Sequence, residues 1–127
     1  MKVICKFNDP SNVPSNIPND FDYGLCIGKE YIVMGILTFR RSNALHFLVD
    51  ENGRPGWFPF QIFTISSNEV PVNWFFNINL DDIHVDYLNL LCFDELCNKK
   101  DFFNQLLERD EEATKIYFQR KIEMENT

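Results

Sequence analysis

The side chains able to carry catalysis or hold a metal are few. The chain has four cysteines (Cys5, Cys26, Cys92 and Cys97) and two histidines, His46 and His84. Structural zinc sites draw on closely spaced Cys and His pairs, and these cysteines include no Cys-x-x-Cys pair. Each lies in an apolar run, the setting of free thiols that act as small core residues. Cys–His catalysis needs a designated pair, and the spacing designates none. His46, flanked by Leu45 and Phe47, reads as an outward-facing polar position of a strand. No phosphate-cradling motif follows Gly24 or Gly28, and neither Gly-x-Ser-x-Gly nor His-Glu-x-x-His occurs. The expectation is a protein that is not an enzyme, with no metal and no cofactor.

Carboxylates offer a different chemistry, that of binding. Asp20, Asp22 and Tyr23 close a proline-rich stretch, Asp81, Asp82 and Asp86 lead into Tyr87, and Asp94-Glu95 form a third acidic pair. If the fold joins two of these groups, an acidic face with aromatics results. Such a face steers a basic protein partner and adds charge complementarity. The competing reading is ordinary solvated surface charge. The expected partner-binding residues are Asp20, Asp22, Tyr23, Asp81, Asp82, Asp86 and Tyr87. Net charge is −7, from 19 acidic and 12 basic residues. That balance disfavours direct nucleic-acid binding, which shows a basic footprint.

The elements that must position these residues follow from pattern. A chain of 127 residues with 45% hydrophobic content and 13 phenylalanines supplies the core of one domain. The apolar run near Met1 is far too short for a signal peptide, and no stretch approaches the roughly 18 apolar residues of a membrane span. A cytoplasmic protein without disulfides is expected.

Residues 3–7 read as a first strand. Residues 8–22, with Pro10, Pro14 and Pro18, read as a long loop. Residues 31–38 form an apolar, β-branched run expected as one central strand, and residues 44–49 another. Arg40 and Arg41 between them read as solvated. Asn52-Gly53 is the pair that a type I′ hairpin turn favours, and Pro59 ends the strand after it. Residues 70–80 and 83–93 are extended segments around the Asp81-Asp82 turn, which either form a hairpin or extend a sheet.

Beyond them, Asn98 is the expected helix cap, with Asp101 in the first turn. Phe102, Phe103, Leu106, Leu107, Ala113, Ile116 and Tyr117 recur at helical spacing. The helix is one piece, or two with Asp110 capping the second.

Gly53-Arg54-Pro55-Gly56-Trp57-Phe58-Pro59 resembles the closing pattern of Src-homology-3 domains: Gly-x-x-Gly, two apolar residues, Pro, one helical turn and a last strand. Upstream, residues 25–33 (Leu-Cys-Ile-Gly-Lys-Glu-Tyr-Ile-Val) are similar to the diverging turn and second strand of that fold. The resemblance covers about residues 3–65. It implies an α+β fold: a Src-homology-3-like five-stranded β-barrel over 1–65, an additional β segment over 66–97, and a C-terminal helical segment over 98–124. Peptide-binding members place paired Trp at the third strand and Tyr in the helical turn; here stand Asn43-Ala44-Leu45-His46 and Ile62. The polyproline ligand therefore does not carry over.

In size, acidity and lack of catalytic motifs the chain also resembles small bacterial immunity proteins, including those of contact-dependent growth inhibition systems. That resemblance implies a protein that binds and neutralises one toxin domain, a basic nuclease being the natural partner. The alternative is a Src-homology-3-like interaction module of a larger assembly.

Overall fold

The computed structural model describes residues 1–8 and 23–125. Its strands are β1 (Lys2–Cys5), β2 (Glu30–Ile32), β3 (Gly35–Phe39), β4 (Ala44–Glu51), β5 (Arg54–Pro59), β6 (Phe63–Ser67), β7 (Phe75–Ile78) and β8 (Tyr87–Cys92). A 3-10 turn, Phe60–Ile62, joins β5 to β6, and α1 (Asp94–Asn98), α2 (Phe102–Leu107) and α3 (Glu111–Glu125) follow β8. The architecture is α+β. Two antiparallel sheets form, a three-stranded one of order β2-β1-β6 and a five-stranded one of order β5-β4-β3-β8-β7. Among the described residues the strands of 3–65 do not close into a barrel; they divide between these two sheets.

The division has a local cause. The run expected as one strand over 31–38 is two strands, broken at Val33-Met34. Val33 donates its N–H to Met1 O at 3.0 Å, while Met34 donates to Leu48 O at 2.8 Å. Consecutive residues thus bond into different sheets. Gly35, the first residue after the break, is closely packed: a Cβ at this position would meet Trp57 Cη2 at 3.1 Å and Cys92 Cβ at 3.2 Å. Few real side chains tolerate contacts that close.

The five-stranded sheet is packed on both faces. Alternation along its strands sends Leu37, Leu48, Leu90 and Cys92 to one side, where they meet Leu96, Phe102, Phe103, Leu106, Ala113 and Tyr117 of the helices. The other side sends Phe47 and Val49 against Val3, Cys5, Tyr31 and Phe63, closing a core between the sheets. His46 falls on the helical side, with only 6% of its surface exposed. The outward placement expected for it is thereby corrected, because its register partner is the buried Leu37.

Asn52-Gly53 forms the expected turn, with φ of 54° and 75°. The extended segments after Ser67 do both things left open by the sequence: β7 and β8 form a hairpin, and β8 adds beside β3. The helical region begins at Asp94, four residues before the expected start. Asn98 is the last residue of α1, and its side chain donates to Asp94 Oδ1 at 2.8 Å instead of capping α2. Asp110 does cap α3, accepting the Ala113 N–H at 3.0 Å.

Candidate functional site

The small sheet covers only part of the face it packs on. Register across the large sheet aligns Phe58, Phe47, Ile36, Leu91 and Phe76 in one row, and Leu45, Thr38, Asn89 and Ile78 in the next. Phe47, Ile36 and Phe58 lie under the small sheet. The β7 end of both rows projects past it, leaving Phe76 64% and Ile78 57% exposed.

This reverses the usual alternation. Residues 76–80 read Phe-Asn-Ile-Asn-Leu, a pattern that normally buries its apolar face. Here Asn77 turns toward the helices and donates to Cys97 O at 3.2 Å, while Phe76, Ile78 and Leu80 face solvent.

The connection from β7 to β8 carries the acidic residues, and Arg40 shapes it. The Arg40 guanidinium donates to the carbonyls of Asn79, Leu80, Asp82 and Val85, and its backbone N–H donates to Asp86 O at 2.8 Å. An arginine read from sequence as solvated is instead the clamp of this loop. Its planar donor fork suits several carbonyls at once.

Asp81 and Asp82 are exposed. Asp82 Oδ1 accepts the His84 N–H at 3.0 Å, and neither carboxylate has an ion pair among the described residues. Asp86 is paired with Arg41 at 3.5 Å. Tyr87 is half-buried against Phe103, with ring centroids 4.9 Å apart, and burial raises its pKa. Tyr87 thus faces the helical core and not the acidic loop.

Of the first acidic group of the sequence only Tyr23 is described, and it lies away from the Asp81-Asp82 connection. Tyr23 meets Phe58 of β5 edge-on at 6.1 Å. That strand is the opposite edge of the sheet from β7, about 14 Å away from β8 at ordinary strand spacing. Asp20 and Asp22 lie outside the described residues.

Three carboxylates elsewhere are held by partners within the fold. Asp50 accepts from Tyr117 and Lys121. Glu51 accepts from Tyr31 and Lys29, and these partners lower its pKa. Glu95 is gripped by Arg120, which lowers its pKa likewise.

Cys26, expected as a core thiol, is exposed, because it stands in the turn before β2. The other three cysteines are buried, as is His46, and burial works against covalent chemistry there. Burial raises the pKa of Cys5, Cys92 and Cys97 and lowers that of His46, whose Nδ1 lies 3.0 Å from Ala44 O. A thiol held protonated is a poor nucleophile. Among the described residues no group of three His, Cys, Asp or Glu side chains is placed to hold a metal, and no helix is long and apolar enough to cross a membrane.

Comparison with protein-family models, with curated proteins and with solved structures gives no match.

A concavity of about 490 Å³ lies beside the β3–β4 turn and is lined by Thr38, Ser42, Asn43, Leu45, Phe60 and Gln61. Gln61 Oε1 is buried there without a hydrogen-bond partner among the described residues. Of its lining residues, Thr38 donates its N–H to Asn89 Oδ1 of β8 at 3.1 Å.

Proposed function

We propose that this protein is a non-catalytic cytoplasmic binding protein, an immunity protein that neutralises a cognate bacterial toxin by binding it. One observation carries the reading: β7 shows Phe76 and Ile78 to solvent beside Asp81 and Asp82, which have no ion pair among the described residues. Exposed apolar patches rimmed by charge mark interaction surfaces. A net charge of −7 favours a basic partner such as a nuclease domain. The burial of Cys92, Cys97 and His46 within the core is in keeping with a role in binding.

The accompanying fold reading is a Src-homology-3-like arrangement with an added β7–β8 hairpin. Its support is the sheet orders β5-β4-β3 and β2-β1-β6, with the 3-10 turn between β5 and β6. The alternative function, an interaction module of a larger assembly, is favoured by the Phe60–Gln61 concavity.

The test is co-expression with the product of the adjacent reading frame. Relief of its toxicity with a stoichiometric complex supports the immunity reading. If Phe60→Ala abolishes binding while Asp81→Lys with Asp82→Lys does not, the surface belongs to the alternative.

A further inference from the structure

The two edges of the large sheet differ. In β7–β8, Asn79 donates its N–H to Leu88 O at 2.8 Å. Antiparallel alternation then makes Asn77–Leu90 and Phe75–Cys92 the hydrogen-bonded pairs. The N–H and C=O of Phe76 and Ile78 therefore point away from β8. At the other edge, the two-residue turn makes Glu51–Arg54 a bonded pair, so Pro55, Trp57 and Pro59 point outward from β5. Two of those three positions have no N–H to offer, the usual protection of a sheet edge. β7, Phe-Phe-Asn-Ile, contains neither proline nor charge.

We infer that β7 is a strand-addition site: an extended basic segment of the partner protein pairs with its open edge through the N–H and C=O of Phe76 and Ile78. The inference rests on the reading of this sheet end as a protein-binding surface. The added strand would lie about 4.8 Å from β7. Its alternate apolar side chains would continue the rows that end in Phe76 and Ile78, and its Lys or Arg residues would reach Asp81 and Asp82. In strand addition, backbone bonds supply affinity and alternate side chains supply specificity. A second copy of this chain is the poorer occupant, since each copy carries a net charge of −7.

Amide hydrogen exchange of the full chain tests it, with an acetylated, amidated heptapeptide of alternating lysine and valine as the probe. At millimolar peptide, the Phe76 and Ile78 amides are expected to slow by about 10-fold, the factor for ligand at about ten times Kd. The glutamate–valine peptide, and a lysine–valine peptide N-methylated at every second residue, should leave both amides unchanged.

No protection, or equal protection by the glutamate peptide, overturns the inference. So does protection that rises with protein concentration alone, because a second copy then occupies the edge. With the toxin partner itself, Ile78→Pro should weaken binding at least 10-fold, and Ile78→Ala, which keeps the N–H, much less. If Ile78→Pro binds as the parent does while Asp81→Lys with Asp82→Lys fails, strand addition falls and the binding reading stands. Absence of any partner removes the binding reading instead, without bearing on the peptide result.

Discussion

Tyr117 is fully buried on α3, and its hydroxyl donates to Asp50 Oδ1 on β4 at 2.9 Å. Lys121, one helical turn on, reaches both oxygens of the same carboxylate at 2.9 and 3.0 Å. The last helix is therefore fixed to the sheet by one carboxylate that serves two donors. Burial, with the neighbouring Asp50 carboxylate, raises the Tyr117 pKa well above its ordinary value, so the hydroxyl stays a donor.

Tyr117→Phe keeps the ring and removes the donor. The expected loss is about 1 kcal/mol, the usual net worth of one hydrogen bond. Urea denaturation checks it: a lower midpoint at unchanged slope is predicted, and an unchanged midpoint contradicts the role given to the hydroxyl.

Stability should fall with acid in two windows. His46 has a folded pKa below its ordinary 6.5, so the unfolded chain binds its proton first. Its contribution is complete above 6.5 and is lost as pH falls below that value. Glu51 and Glu95, held below their ordinary 4.5 by Tyr31 and Lys29 and by Arg120, contribute fully above 4.5. They lose that contribution as pH falls through their folded values. Midpoints measured from pH 8 to pH 3 should show both declines, and Glu95→Gln should shrink only the lower one.

Arg40→Ala removes the clamp from the carbonyls of Asn79, Leu80, Asp82 and Val85. Bonds from a charged donor are worth about 1.5–3 kcal/mol where the acceptors are desolvated, and about 2 kcal/mol of destabilisation is expected here. Limited proteolysis should then cut first within 79–86. A cleavage pattern like that of the parent would show that the loop holds its shape without Arg40.

Phe76→Ser and Ile78→Ser should behave in the opposite way. Both side chains project into solvent, so each change should alter stability by no more than about 0.5 kcal/mol while weakening the partner complex. A large drop in thermal midpoint would mean that these side chains serve the fold.

Legibility in the sequence followed the range of the interactions. Asn52-Gly53, Pro59 and Asp110 act on their immediate neighbours, and the turn, strand end and cap they imply are present. Residues 31–38 misled because their apolar content is continuous, while the break shows only in the bonds of Val33 to Met1 and of Met34 to Leu48, whose acceptors both lie outside the run. Asn98 has a capping side chain, but Asp94 one turn earlier takes it.

The acidic connection was visible as Asp81 and Asp82; that Arg40 shapes it was not, since its targets are carbonyls some forty residues away. The Phe-Asn-Ile-Asn-Leu alternation was on view as well. Which of its two faces meets solvent is not written in the alternation itself, and in the fold Phe76 and Ile78 are exposed while Asn77 turns toward the helices.

The most direct measurement is the affinity for the partner protein as a function of salt, for the parent and for Asp81→Lys with Asp82→Lys. The parent complex should weaken as salt rises. The double variant should bind at least 10-fold more weakly at low salt, with a flatter salt dependence. Equal affinity with an equal salt slope would contradict the assignment of the β7 end as the binding surface.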